Sequence, residues 1–132
     1  MKKQLFLAFA LLFAVAVVGC KKQNEATKPL RTKAIGRWEA VKIETTIGGA
    51  APVTVTYTSS DYYDFKDGEE DILERKLGAA VQSGNYVFLS GNNFNITIDG
   101  KTYNCVANTI TANQFDFTAK EGTTTLKIYL KR

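Results

Sequence analysis

From Trp38 to Lys131 apolar and polar side chains alternate in short runs, and each run is broken by glycine, asparagine or aspartate. Phe94, Ile96 and Ile98 alternate with Asn93, Asn95, Thr97 and Asp99; Phe115 and Phe117 alternate with Gln114, Asp116 and Thr118; Leu126, Ile128 and Leu130 alternate with Lys127, Tyr129 and Lys131. A period of two puts successive side chains on opposite faces of a strand, whereas an amphipathic helix needs a period near 3.6. The chain is therefore constrained to an antiparallel sheet with one buried and one wet face.

Turn residues divide this stretch into eight predicted strands. The first runs from Trp38 to Ile47 and stops at Gly48-Gly49. The second spans Val53 to Thr58, with Val53, Val55 and Tyr57 sharing a face; Tyr62 to Phe65 either extends it or stands alone. Asp67-Gly68 leads into Glu70–Leu77, where residues 69–77 suit a strand or a short helix, and the Asp-Gly turn favours the hairpin. Residues 77–84 read as a loop before Tyr86–Leu89. The remaining strands cover residues 94–98, 102–111, 115–118 and 123–131, with turns at Asp99-Gly100, Ala112-Asn113 and Glu121-Gly122.

Eight strands joined in order leave two sheet edges that would template aggregation unless covered or closed. No helical pattern is long enough to cover them, so the expected fold is an all-β, eight-stranded antiparallel up-and-down barrel. Eight is also the number at which the interior is just filled by side chains or holds one small ligand. The 97 residues from Gly36 to Arg132 allow about twelve per strand and turn, so a small or filled lumen is expected.

The net charge of +4 does not belong to this domain. Residues 21–33 carry five cations and only Glu25, whereas residues 34–132 carry ten basic and twelve acidic side chains. A nucleic-acid partner needs cations on the folded surface to neutralise phosphates, so none is expected.

The N-terminal segment has its own logic. Lys2 and Lys3 precede an apolar run, Leu5 to Val18, whose fourteen residues would span roughly 21 Å as a helix, short of the roughly 30 Å hydrocarbon core. That is the build of a secretory signal. Val17-Val18-Gly19-Cys20 at its end resembles the lipobox of bacterial lipoproteins. The resemblance implies cleavage after Gly19, lipidation of Cys20 by diacylglycerol and an acyl chain, and an anchor in the membrane. Lys21 after the cysteine, with no dense acidic run, implies an outer-membrane protein facing the periplasm. The division is then a signal peptide at 1–19, a lipidated cysteine with a flexible tether at 20–35, and a barrel domain at 36–132. The tether is polar, and at residues 21–33 reaches on the order of 20 Å as a coil.

Gly36-Arg37-Trp38 at the start of the first strand resembles the Gly-x-Trp of lipocalins, whose indole closes one end of the barrel. Arg132 or Lys131, at the end of the last strand, stands where lipocalins place a cation over that indole. Where lipocalins carry a Thr-Asp-Tyr motif this chain has Thr109-Ile110-Thr111-Ala112-Asn113. The similarity, to lipocalin-like domains of small bacterial lipoproteins, covers residues 36–132.

Catalysis has little material. The chain has no histidine, so the usual base and the commonest metal ligand are missing. With Cys20 lipidated, Cys105 has no intramolecular partner and reads as a small buried hydrophobe. Aligning Gly68 and Glu74 to a calcium loop places Tyr63 and Phe65 at ligand positions, which cannot coordinate. No catalytic residue, cofactor or metal is expected. The expected function is to bind a small hydrophobic or amphipathic molecule in the cell envelope, with Trp38, Tyr57, Tyr86, Phe88, Phe94, Ile96, Tyr103, Phe115, Phe117 and Ile128 as candidate lining residues. The alternative is an interaction or inhibitory lipoprotein, a filled barrel presenting loops 47–53 and 77–84 to an envelope protein. If the lipobox assignment holds, Cys20→Ser moves the protein from the membrane fraction to the soluble fraction; a variant that stays with the membrane contradicts it.

Overall fold

The computed structural model describes residues 29–132; the signal segment, Cys20 and most of the tether lie outside the described residues. A short helix, α1 (Leu30–Ala34), precedes nine strand segments: β1 (Gly36–Ile47), β2 (Val53–Thr56), β3 (Tyr62–Phe65), β4 (Ile72–Leu77), β5 (Ala80–Phe88), β6 (Asn93–Ile98), β7 (Lys101–Ile110), β8 (Gln114–Glu121) and β9 (Thr124–Lys131). All pairings are antiparallel, and β1 pairs with β9, so the sheet closes. β2 and β3 lie one after the other along the same edge of β1, opposite Lys42–Thr45 and Gly36–Glu39. They form one interrupted stave, and the result is an eight-stranded closed barrel.

The interruption has a visible cause. The Asp61 carboxylate accepts hydrogen bonds from the Thr58 N–H at 3.0 Å and from the Gly78 N–H at 2.8 Å, with Lys76 Nζ at 3.7 Å. It ties the break between β2 and β3 to the β4–β5 turn, and the Thr58 and Gly78 N–H bonds hold its pKa below the usual carboxylate range.

Two ends can be distinguished. At the base, Trp38, Phe65, Tyr86, Phe94 and Phe115 are fully buried and pack edge-on or tilted, with centroids 5.4–6.4 Å apart for Phe65 against Tyr86, Phe94 and Phe115. Rings in such contact contribute about 0.5–1.5 kcal/mol per pair beyond the area they bury. The α1 helix covers this end. Leu30 and Ala34 are buried, Trp38 Nε1–H donates to the Ala34 carbonyl at 2.8 Å, and Arg31 pairs with Asp71 at 2.8 Å. The Arg132 guanidinium lies 3.8 Å from the Trp38 ring centroid and donates to the carbonyls of Ile35, Lys33 and Ala112. The cation expected over the indole is thus Arg132.

Two expectations need correcting. The tether expected at 20–35 does not stay apart from the domain over its last residues: Leu30, the one large apolar residue of 21–33, is buried with Ala34, and Ile35 packs on the core, so the folded unit starts at about α1. Residues 77–84 are not a loop. Only Gly78 and Ala79 turn, and Ala80–Phe88 is a nine-residue strand. Its inward positions, Ala80, Gln82 and Gly84, are small or polar and so carried no apolar alternation. Residues 72–77, by contrast, form the strand that the Asp-Gly turn favoured, and Asp99 (φ 53°) and Gly100 (φ 73°) make the two-residue hairpin with both residues left-handed.

Gly84 is small for a packing reason. A Cβ there would collide with the Thr97 carbonyl oxygen and the Ile98 side chain and backbone of β6. Gly84→Ala should lower stability by about 2–3 kcal/mol through overpacking, read as a lower urea midpoint; an unchanged midpoint would show that the β5–β6 approach is looser than described.

Candidate functional site

The end opposite α1 is built differently. The β1–β2, β4–β5, β6–β7 and β8–β9 turns all lie there; β2 rises above the β4–β5 turn, which meets Asp61 below it, while β9 runs beside β1 as far as Thr124. The register sets Ile43 opposite Val55 and Ile128, and Thr45 opposite Val53 and Leu126, while Ile47 faces Thr124. Directly paired residues share a face. Ile43 and Ile128 are buried in the core, so Val55, Val53 and Ile47 continue the inner face of the barrel past its rim. They are 47%, 64% and 61% exposed.

Beneath this overhang the upper interior narrows to a cleft lined by Tyr63, Arg75, Ile96, Ile98, Tyr103, Ala119, Leu126 and Ile128. It has about 10 Å³ of space for the centre of a water molecule, which accommodates about one oxygen-sized group. Arg75 sits on the inner face between Leu73 and Leu77, with its guanidinium 5.9 Å from the Tyr63 ring centroid. Its Nε–H and Nη2–H both donate to Gln82 Oε1, and it makes no ion pair among the described residues. Tyr63 is 1% exposed, and its hydroxyl has no hydrogen-bond partner. Burial pushes the Tyr63 phenol up to about 12, with Arg75 opposing, so the hydroxyl remains a donor at neutral pH.

The ten residues named from the sequence divide between the two ends. Trp38, Tyr86, Phe94, Phe115 and Phe117 are buried in the aromatic core, and Phe88 is half-buried against it. Ile96, Tyr103 and Ile128 line the cleft, and half-buried Tyr57 packs on the same core. Tyr63, Arg75, Ile98, Ala119 and Leu126 line the cleft as well and are not among the ten, although the alternation sets Ile98 and Leu126 in apolar rows. One signal could have found Arg75: in Leu73-x-Arg75-x-Leu77 a cation occupies the apolar row of a strand, which the helix–strand ambiguity of 69–77 concealed.

Elsewhere chemistry is sparse. Burial pushes the Cys105 thiol up to about 12, so thiolate is scarce at neutral pH. Among the described residues no group of cysteine, aspartate and glutamate is placed to hold a metal ion, and no helix is long and apolar enough to cross a membrane. A shallower hollow on the outer wall, near Leu89, Asn95, Asn104 and Val106, has a volume of about 260 Å³. Comparison with protein families, curated proteins and solved structures finds no match to this chain.

Proposed function

We propose that this chain is a lipid-anchored, lipocalin-like lipoprotein of the cell envelope that acts without catalysis and holds a small amphipathic molecule at the hairpin mouth. The observation that carries the reading is the inner face of β1 and β2: Ile47, Val53 and Val55 point the way core residues point and yet stay exposed. Single exposed apolar residues are ordinary, but a contiguous inward-facing set beside a cleft is what a partly apolar ligand would cover. The aromatic base is filled, so the ligand belongs at the mouth and not deep in the barrel. The lipobox resemblance at Cys20 supplies the anchor and the outer-membrane, periplasm-facing location. The described chain enters at the base, which leaves the mouth at the end remote from the tether.

A second reading rests on β2. Its four residues are all exposed and pair only with β1, so one edge is open. An open edge accepts an extended segment of another protein by strand addition, and the partner would be an envelope protein.

Methyl NMR of the full chain in phosphatidylcholine nanodiscs, titrated with hexanol, separates the two. The mouth reading predicts saturable shifts at Ile47, Val53, Val55 and Leu126, none at Leu73 in the base, and loss of the response in a Val53→Asp, Val55→Asp variant. Unshifted mouth methyls would favour the strand-addition reading; shifts at Leu73 would put the ligand in the interior instead.

A further inference from the structure

The mouth has a polar floor that an apolar ligand alone would leave unused. We propose that Arg75 and Tyr63 form an anion site that takes the carboxylate of an amphiphile, whose hydrocarbon lies along the inner face of the β1–β2 hairpin. This rests on the mouth reading and specifies its ligand.

Three observations converge. First, a guanidinium has five N–H donors, and Gln82, a neutral acceptor, takes two from Arg75. No carboxylate among the described residues forms an ion pair with it, although it sits half-buried on the inner face. Second, Tyr63 lines the same cleft, and its buried hydroxyl stays protonated and has no hydrogen-bond partner. Buried hydroxyls are normally hydrogen-bonded, so an orphan beside an unpaired cation marks a place for an acceptor. Third, the space fixes the size of what enters. About 10 Å³ takes one oxygen of a carboxylate and no hydrocarbon.

A carboxylate is planar and offers one oxygen to the cleft and a second to the guanidinium, where charge-assisted hydrogen bonds are strongest. The chain attached to it can then run only upward, past Leu126 and Val55 towards Val53 and Ile47. The inward rows near the rim also carry Lys101, Glu121 and the buried Asp61; the Asp61 carboxylate is held by the Thr58 and Gly78 N–H groups with Lys76 Nζ at 3.7 Å, so it has partners of its own and Arg75 is left without a carboxylate.

The test compares hexanoate with hexanol, two ligands of one tail and different heads, on the full chain in phosphatidylcholine nanodiscs at about pH 7. Hexanoate should bind at least about tenfold more tightly than hexanol and shift the Arg75 Nε–H resonance. Tyr63→Phe, which deletes only the unpartnered hydroxyl, should weaken hexanoate by about five- to tenfold and leave hexanol unchanged. Arg75→Gln should abolish the preference, and Arg75→Lys should restore part of it. If hexanol binds and hexanoate binds no better, the anion site is wrong and the apolar mouth stands. If the preference survives both Arg75→Gln and Tyr63→Phe, the carboxylate is held elsewhere and the proposal is overturned. If neither ligand binds, the mouth reading fails with it.

Discussion

The pairing of β1 with β9 is the constraint on which the rest of the molecule depends. β1 uses both edges: β9 lies along one from Glu39 to Ile47, and β2 with β3 share the other. Without that seam the sheet would expose two rows of unpaired backbone groups and an apolar face too wide for a five-residue helix to cover. One irregularity is built into it. The register shifts between Ala40 and Lys42, so that Trp38 and Ala40 below and Ile43 above all face inward. A bulge of this kind bends and twists the strand, which is what closing eight short staves requires.

The same closure explains why the two ends differ. A small barrel is nearly filled by its own side chains, and at the base that filling is aromatic and sealed by α1. The chain there folds back on itself: Trp38 bonds to the helix, and Arg132, the last residue, covers Trp38 and bonds to Lys33 and Ile35. A cation–π contact at an exposed site contributes about 0.5–1 kcal/mol, and the Arg132 side chain over the buried indole is exposed, so the lock is modest in energy, but it joins both termini of the domain. At the other end the core runs out before the strands do. Ile43 and Ile128 are buried, whereas Val53, Val55 and Ile47, further along the same inner face, are exposed. The mouth is the geometric remainder of strands longer than the core they enclose.

Much of this was legible in the sequence because period-two alternation is a direct record of facing. The antiparallel order follows from it, the Asp99-Gly100 hairpin from turn chemistry and the closing of the first strand on the last from the edges otherwise left open; the cation over Trp38 came from the lipocalin resemblance. Where the sequence misled, side-chain size had replaced hydrophobicity as the inward signal. The first half of β5 faces inward with Ala80, Gln82 and Gly84, the last of them because β6 approaches too closely for a side chain there, and residues 77–84 read as a loop. α1 was hidden because one leucine and one alanine suffice to seat a single turn on an aromatic base. Alternation also cannot tell an inner face that is covered from one that continues into solvent, so it sets Val53 and Val55 on one face with Tyr57 without showing that they are exposed. The candidate site was less legible than the fold. All ten residues named for it are buried in the core or packed against it, only Ile96, Tyr103 and Ile128 also line the cleft, and Tyr63 and Arg75 lie in stretches whose conformation the sequence left open.

Amide hydrogen exchange, resolved by residue, tests the closed barrel with its overhanging hairpin most directly. In a sealed barrel the amides shared by β1 and β9 open only when the whole domain unfolds, while the free edge of β2 exchanges locally. The account predicts that protected amides from Glu39 to Thr45 and from Leu126 to Leu130 exchange with one common free energy equal to that of global unfolding, and that the outward amides of Thr54 and Thr56 exchange far faster. Rapid exchange along β9, at rates like those of Thr54, would mean that the seam is open and that the barrel, its base and its mouth do not exist as described.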